Sequence, residues 1–513
     1  MSQSSSNNLE ELASGKLGRL LLKYSWPALV AMSLNALYAV VDRFYIGQGC
    51  GEAAMAGLTL TFPVMMLFGA FGVFVGAGHA SVLSIKLGEN DFVACEKIVG
   101  ELIALKLLFF FILPPLVYFN VDTVLNWCGG AKVSAEAFAA ARVYLKIVVF
   151  SHVFSHLAFG LSALTRAEGG AVKSMMSLVV GFGTNLVLDP LLIFGINLTI
   201  PLYDYVFQLR LPAMGIAGAA WATVIAMAAS FLWALRYYLN GGTVVLLRWW
   251  RIGFYRELLG RTTAIGFAPF LQNLLGAAIN VSLAAAFAKW AADEASATTQ
   301  IASLGVFQSV MILTIMPIMG AQQGLQPIFG YNWGARNYRR VKDALVLGYW
   351  VTTVLCILAS AVQVIPPFPR LLASMFVASD NPTLLGIAAH DLTVSNCMIW
   401  TIGINVVVTT YFQSIGRPFV AVVLSTLRQG VILIPCIWIL PHLMSNHALA
   451  IWLALPISDI LCQLATIPPF FLHLRFLSRV RIRRLGLSRF FPHRQPSPSG
   501  DHENRHSDER LRR

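Results

Sequence analysis

Apolar residues fill this chain in runs of about 20 positions, broken by short polar connections, and the runs do not alternate as the strands of a membrane barrel would. Backbone groups in lipid must be satisfied within the segment, so runs of this length predict membrane-crossing helices. Twelve can be drawn: 22–46, 56–82, 98–120, 138–162, 172–196, 214–238, 262–290, 298–328, 343–366, 386–412, 418–440 and 448–473. The expected class is an all-α membrane protein.

Composition agrees. The 513 residues are 57% hydrophobic and only 12% charged, with a mean hydropathy of +0.69. Soluble domains carry about 25% charged residues. The net charge of +13 does not point to nucleic acid, because Lys and Arg gather in the short connections. One side of the predicted topology collects Lys16, Arg19, Lys23, Lys86, Lys97, Arg166, Lys173, Arg248, Arg251, Arg256, Arg261, Arg336, Arg339, Arg340, Lys342 and Arg417. The other has little beyond Lys132, Arg210 and Arg370. The positive-inside rule then places both termini in the cytoplasm. No small-residue cleavage site closes the first apolar run, so it reads as an uncleaved span. The seven cysteines are dispersed and form no CxxC pair; Cys50 and Cys128 fall in outer connections, where a bridge between them is a minor alternative.

The stretch RWWRIGFYRELLGR (248–261) divides the chain near its middle, and the halves echo each other. Pro27 recurs as Pro269, LGENDFVACEKI (87–98) as WGARNYRRVKDA (333–344), and RAEGG (166–170) as QSIGR (413–417). Six spans per half means that both halves insert the same way, about a pseudo-two-fold axis along the membrane normal. The expected organisation is a polar cytoplasmic N-terminus (1–21), an N lobe (22–240), a basic inter-lobe linker (241–261), a C lobe (262–475) and a basic, disordered tail (476–513). That tail either lies on anionic lipid or, as the favoured reading, merely fixes topology.

Asp42 and Asp189 interrupt two apolar runs. A carboxylate near the bilayer centre costs about 2.5–3.5 kcal/mol on insertion scales, so such residues line cavities or ion paths. Asn35, Tyr38 and Asp42 share one stripe of the first helix; Asn185 and Asp189 share a face of the fifth, with Pro190 next; Ala219 and Thr223 share a face of the sixth. If the stripes converge, they form an oxygen-rich site for a proton or Na⁺, the Na⁺ ligands being Asp42, Asn185, Asp189 and Thr223. The bland alternative has Asp42 at a helix end beside Arg43, and Asp189 satisfying backbone freed by Pro190. Met32, Phe182 and Met227 would add an adaptable apolar wall. His152 and His156, at i and i+4, lack a third metal ligand and read as packing residues. Arg428 and Asp459 read as a structural pair, or else as a substrate contact. Lys106 is expected to snorkel or to pack against a neighbour.

The segments VVDRFYIG, GLTLTFPVMML, TRAEGGAVKSMM, NLVLDPLLIF, GIAGAAWATVIA, GLQPIFGYNWGARNYRRVKDAL and GRPFVAVVLSTLRQGVILIP resemble, in order from about residue 17 to 475, a multidrug and toxic compound extrusion (MATE) transporter. The resemblance implies twelve helices in two pseudo-symmetric six-helix lobes, and export of amphipathic, often cationic compounds by H⁺ or Na⁺ antiport. Asp42 and Asp189 match the two N-lobe acidic positions of the DinF-type branch, and Asn185 and Thr223 its cation-cluster positions, with Tyr38 beside them. Ser162 stands where relatives often carry Asn, a departure in the lining of the fourth helix. Acidic positions of the NorM-type C lobe are not evident: 262–290 holds no carboxylate, and Asp391 lies near a span edge.

GLQPIFGYNWG lacks the GK[ST] ending of a phosphate loop, so the energy is expected from an ion gradient, with no ATPase subunit and no cofactor. An enzyme is disfavoured, since no nucleophile–base pair or metal triad is visible. The alternative function is a flippase or exporter of lipid-linked saccharides or another endogenous metabolite on a related fold, although such proteins carry strongly basic central cavities. By resemblance the expected setting is a bacterial inner membrane, with small-molecule substrates, lipid contacts, no nucleic-acid partner and a monomeric state.

Overall fold

The computed structural model describes residues 3–128, 130, 133–202, 205–240, 243–377 and 382–490; within these, the side chains of 3–8, 35, 36, 39, 40, 52, 196–202, 205–211, 294, 295 and 479–490 lie outside that description. The first half comprises α1 (Gln3–Ser14), α2 (Leu17–Gly88), α3 (Phe92–Phe119), α4 (Val121–Trp127), α5 (Ala135–Val148), α6 (Ser151–Ala167), α7 (Ala171–Phe194), the strands β1 (Ile196–Leu202) and β2 (Tyr205–Leu211), and α8 (Ile216–Leu239). The second comprises α9 (Arg256–Trp290), α10 (Glu294–Gly334), α11 (Tyr338–Val364), α12 (Phe368–Ser374), α13 (Pro382–Asn396), α14 (Ile402–Ser414), α15 (Pro418–Thr426), α16 (Ile434–Leu443) and α17 (His447–Phe490).

Ten helices among the described residues are long and apolar enough to cross a membrane, and α5 with α6, bent by 51°, would form an eleventh span. The twelfth is the start of α2. That helix breaks at Gly51 (φ 78°, ψ −175°), and the part ahead of the break is about 50 Å long at the helical rise. Twelve spans in two lobes result.

The internal echo is structural. Asn90 and Arg336 both take positive φ, 58° and 55°. Asp91 and Asn337, one residue on, cap α3 and α11 by accepting the N–H of Ala94 and Arg340. Gly88 and Gly334 meet the opposite lobe reciprocally: a Cβ on Gly88 would lie 2.0 Å from the Tyr331 carbonyl oxygen, and one on Gly334 2.0 Å from that of Ile85. Gly78 permits a similar approach to Thr262 of α9, and Gly324 to Ser25 of α2. Gln326 donates to Ser81 across the same seam at 2.9 Å. These contacts draw the lobes together at the end of the bundle that carries the basic connections.

Several expectations change. The all-α class stands, with one addition: an antiparallel hairpin, β1 with β2, follows α7 in the connection to α8; Thr, Val, Ile, Tyr and Phe in this stretch suit strands. The predicted span 138–162 is two helices meeting near Phe150. The polar N-terminal segment docks on the C lobe: Leu12 is fully buried, and its carbonyl accepts from Asn332 and Arg340. The linker is likewise pinned, with Arg248 and Arg251 on Glu96 at 3.1 and 2.7 Å. Helix α17 runs through the start of the expected disordered tail to Phe490; residues 491–513 lie outside the described set. All seven cysteines are free, including Cys50 and Cys128.

Candidate functional site

Asp42 and Asp189 approach each other inside the N lobe. Asp42, on the first span, is 6% exposed and Asp189, on α7, is fully buried. Asp189 lies close enough to feel the Asp42 charge. Asn185, one turn before Asp189, donates its amide to Asp189 Oδ1 at 2.9 Å. Tyr38, one turn before Asp42, donates to Thr223 Oγ1 of α8 at 3.1 Å. Three helices thus supply two carboxylates, an amide, a phenol and a hydroxyl.

The balance of donors and acceptors is the informative part. Asp42 Oδ1 and Asp189 Oδ2 are buried without a hydrogen-bond partner. Among the described residues no ion pair joins Asp42 to Arg43, whose guanidinium lies over the Phe62 ring at 5.6 Å. Asp189 takes the Asn185 amide of its own helix on its bonded oxygen rather than serving backbone near Pro190. Two buried acceptors left open are expensive unless a proton or cation completes them. No group of three or more His, Cys, Asp or Glu that could hold a metal occurs among the described residues. The donor set fits a proton or a hard monovalent cation better than a transition metal.

Tyr144 of α5 belongs to the site and was not singled out from sequence. It is buried beside the group formed by Tyr38, Asp42, Asp189 and Thr223. Its signal was a lone phenol in ARVYLKIV, a run otherwise amphipathic on its own terms. Ala219 packs one turn before Thr223, within an apolar cluster containing Ile46, Tyr144 and Ile193. Met32, Phe182 and Met227 are half-buried on α2, α7 and α8, and Ser162 is buried on α6. The Asn35 side chain lies outside the described residues.

Elsewhere, His152 stacks on Phe68 with ring centroids 4.3 Å apart and faces Met65 Sδ, a packing role. Lys106 does not snorkel: it is buried and donates to the Gly72 carbonyl at 3.3 Å. Asp391 is not at an edge but buried in the C lobe, accepting from Ser303 at 2.6 Å. Arg428 and Asp459 do pair, Nε to Oδ1 at 2.7 Å, with Arg428 inside a π-helical stretch, Leu427–Leu433.

The MatE family profile matches residues 27–191 and 270–439, one segment in each lobe. The chain is 27% identical over 459 residues, covering 87% of itself and 92% of the relative, to "Multidrug export protein MepA" of Staphylococcus aureus (strain MSSA476). It is 23% identical over 449 residues to the protein of that name from Staphylococcus saprophyticus, with 87% and 91% covered. Among solved structures it resembles the "MATE multidrug transporter DinF-BH", with a TM-score of 0.76, 30% identity, and 88% and 95% of the two chains covered. An "outward-facing conformation of a multidrug resistance MATE family transporter of the MOP superfamily" superposes with a TM-score of 0.79 at 20% identity, over 91% and 98%; that likeness concerns the fold. The matched segments, the two repeats and their shared seam agree: this chain is a multi-pass membrane protein of the MatE family of multidrug efflux transporters.

Proposed function

We propose that the protein is a secondary active exporter of amphipathic, often cationic compounds, driven by H⁺ or Na⁺ antiport at the Asp42/Asp189 site. The observation that carries this reading is the pair of unpartnered buried oxygens, Asp42 Oδ1 and Asp189 Oδ2. In an outward-open state an ion from outside completes them. Neutralisation removes a desolvation cost and lets the first span repack against α7 and α8, which weakens the drug contacts and releases the compound. The ion-loaded carrier then opens at the basic end, loses the ion and accepts another substrate. Seam contacts at that end support an outward-facing arrangement, and the basic connections there support cytoplasmic termini. The protein acts as a monomer in a bacterial inner membrane.

Shifting a two-state carrier from 1:99 to 99:1 takes about 5.5 kcal/mol of differential binding; one buried ion site and the substrate contacts together are of that order. The test is uptake of an ethidium-like cation into proteoliposomes under separately imposed H⁺ and Na⁺ gradients. Uptake driven by one gradient supports antiport and names the ion. Uptake indifferent to both gradients overturns the reading.

A further inference from the structure

A second acidic group, unrelated to the first, lies on the seam between the lobes. Glu101 of α3 and His79 of α2 are both fully buried. Glycines set them there: Gly78, before His79, admits the Thr262 carbonyl, and Gly100, before Glu101, admits the Arg251 carbonyl. A Cβ at either position would fall 2.0 Å from those oxygens. Main chain from the C lobe and from the linker therefore closes directly over the pair.

The contacts require a proton. His79 Nδ1 lies 2.8 Å from the Val75 carbonyl oxygen, and a carbonyl only accepts, so Nδ1 carries a hydrogen. The other nitrogen, Nε2, lies 3.3 Å from Glu101 Oε1 and has no other partner. In a neutral imidazole Nε2 is then a lone pair facing a carboxylate oxygen. Two acceptors at that distance, sealed from water, repel. One proton between them, on nitrogen or on oxygen, turns the repulsion into a hydrogen bond. The remaining acceptor capacity of Glu101 is taken from across the seam: Thr262 Oγ1 donates to Oε1 at 3.0 Å, and the Tyr255 N–H donates to Oε2 at 3.2 Å.

We propose that His79 and Glu101 form a second proton-binding site, whose occupancy holds the basic end of the transporter shut. Thr262 belongs to the C lobe and Tyr255 to the linker, so parting the lobes strips Glu101 of both donors and admits water. The deprotonated pair, costly while buried, is then solvated. Proton loss and opening favour each other by the same factor in both directions. The other charged groups nearby have their own engagements. Lys97, one turn before Glu101, lies over the Tyr255 ring at 5.2 Å; Arg248 and Arg251 hold Glu96; Arg261 reaches Gly416; Lys106 bonds Gly72. The site is also separate in depth. Glu101 lies about 14 Å along α3 from the basic end, whereas Asp42 lies nearly 40 Å along α2, at the helical rise per residue.

The proposal rests on alternating access between the lobes but not on Asp42 or Asp189 as the coupling site. The test uses the cysteine-free protein in lipid nanodiscs, spin-labelled at Val172 and Phe419, which are exposed at the basic ends of α7 and α15. Distance distributions are measured by pulsed electron resonance from about pH 5 to 9, in the Asp42→Asn/Asp189→Asn background. The expected result is a long-distance population that grows with pH. Glu101→Gln should keep the distances short across the range, and His79→Gln should displace the midpoint. A wild-type midpoint in either variant overturns the proposal. So does a pH-independent distribution in the double-Asn background, and that outcome leaves the Asp42/Asp189 reading standing.

Discussion

Arg428 and Asp459 neutralise each other in the C lobe through a 2.7 Å bond, while in the N lobe Asp189 has only the Asn185 amide. The contrast separates a charge built into the packing from one left open for a mobile ion. Removing one partner of a buried pair leaves an uncompensated charge and costs about 3–5 kcal/mol. Arg428→Met or Asp459→Asn alone should therefore lower the melting temperature sharply in detergent. The double replacement should recover much of the loss and keep ion-driven efflux.

Asp42→Asn and Asp189→Asn should behave in the opposite manner. Each keeps the fold and membrane insertion, because an amide fills the same space and satisfies Asn185 or its neighbours. Gradient-driven efflux should fall to background, read as drug susceptibility in cells and as uptake in vesicles. Full resistance in Asp42→Asn would remove that residue from the mechanism.

Tyr144→Phe deletes one hydroxyl beside Thr223. A hydroxyl that helps complete the ion's shell is worth about 0.5–1.5 kcal/mol, so ion affinity should weaken by up to about tenfold. Expression and melting should change little. The measurement is the dependence of efflux on the concentration of the coupling ion.

Glu168, just beyond the end of α6, accepts the Val244 N–H at 2.9 Å, and burial lifts its carboxyl to about 8. That lies above the ordinary carboxyl value, so deprotonation favours the unfolded chain. Its stabilising contribution is complete in acid and is lost as pH rises through about 8. Melting curves should decline from about pH 5 to about 8 and level off above that, and Glu168→Gln should flatten the decline.

Gly334→Ala should part the lobes, because its methyl would meet the Ile85 carbonyl at 2.0 Å. Ordinary overpacking costs about 1–3 kcal/mol, and a collision with backbone has less room to relax. A lower melting temperature and a wider Val172–Phe419 distance are the expected readouts. Gly253→Ala, which meets nothing within 4 Å, is the control.

The stripes of Asn185/Asp189 and Tyr38/Asp42 were legible because residues on one helix reveal their shared face by spacing alone. The repeat was legible for the same reason: Asn90 and Arg336 are local backbone events with local sequence signals. Tyr144 was hidden because its membership depends on how α5 leans on α8, a tertiary fact that no single helix encodes. His79 and Glu101 were missed similarly; 22 residues separate them in sequence, and Thr262 comes from the other lobe. The hairpin after α7 looked like an outer connection because its strands pair only with each other. Helix α1 looked like a polar leader, since only Leu9 and Leu12 among its described side chains are buried.

That first helix has one mechanical consequence. Arg340 also grips the Gly15 carbonyl, so the opening segment is fastened to the C lobe while its chain continues directly into the N lobe. Only Gly15 and Lys16 join α1 to α2, a leash that stretches to roughly 10 Å at full extension. For as long as the clasp holds, it caps the gape of the basic end, and a wider yawn must first pull α1 from its berth.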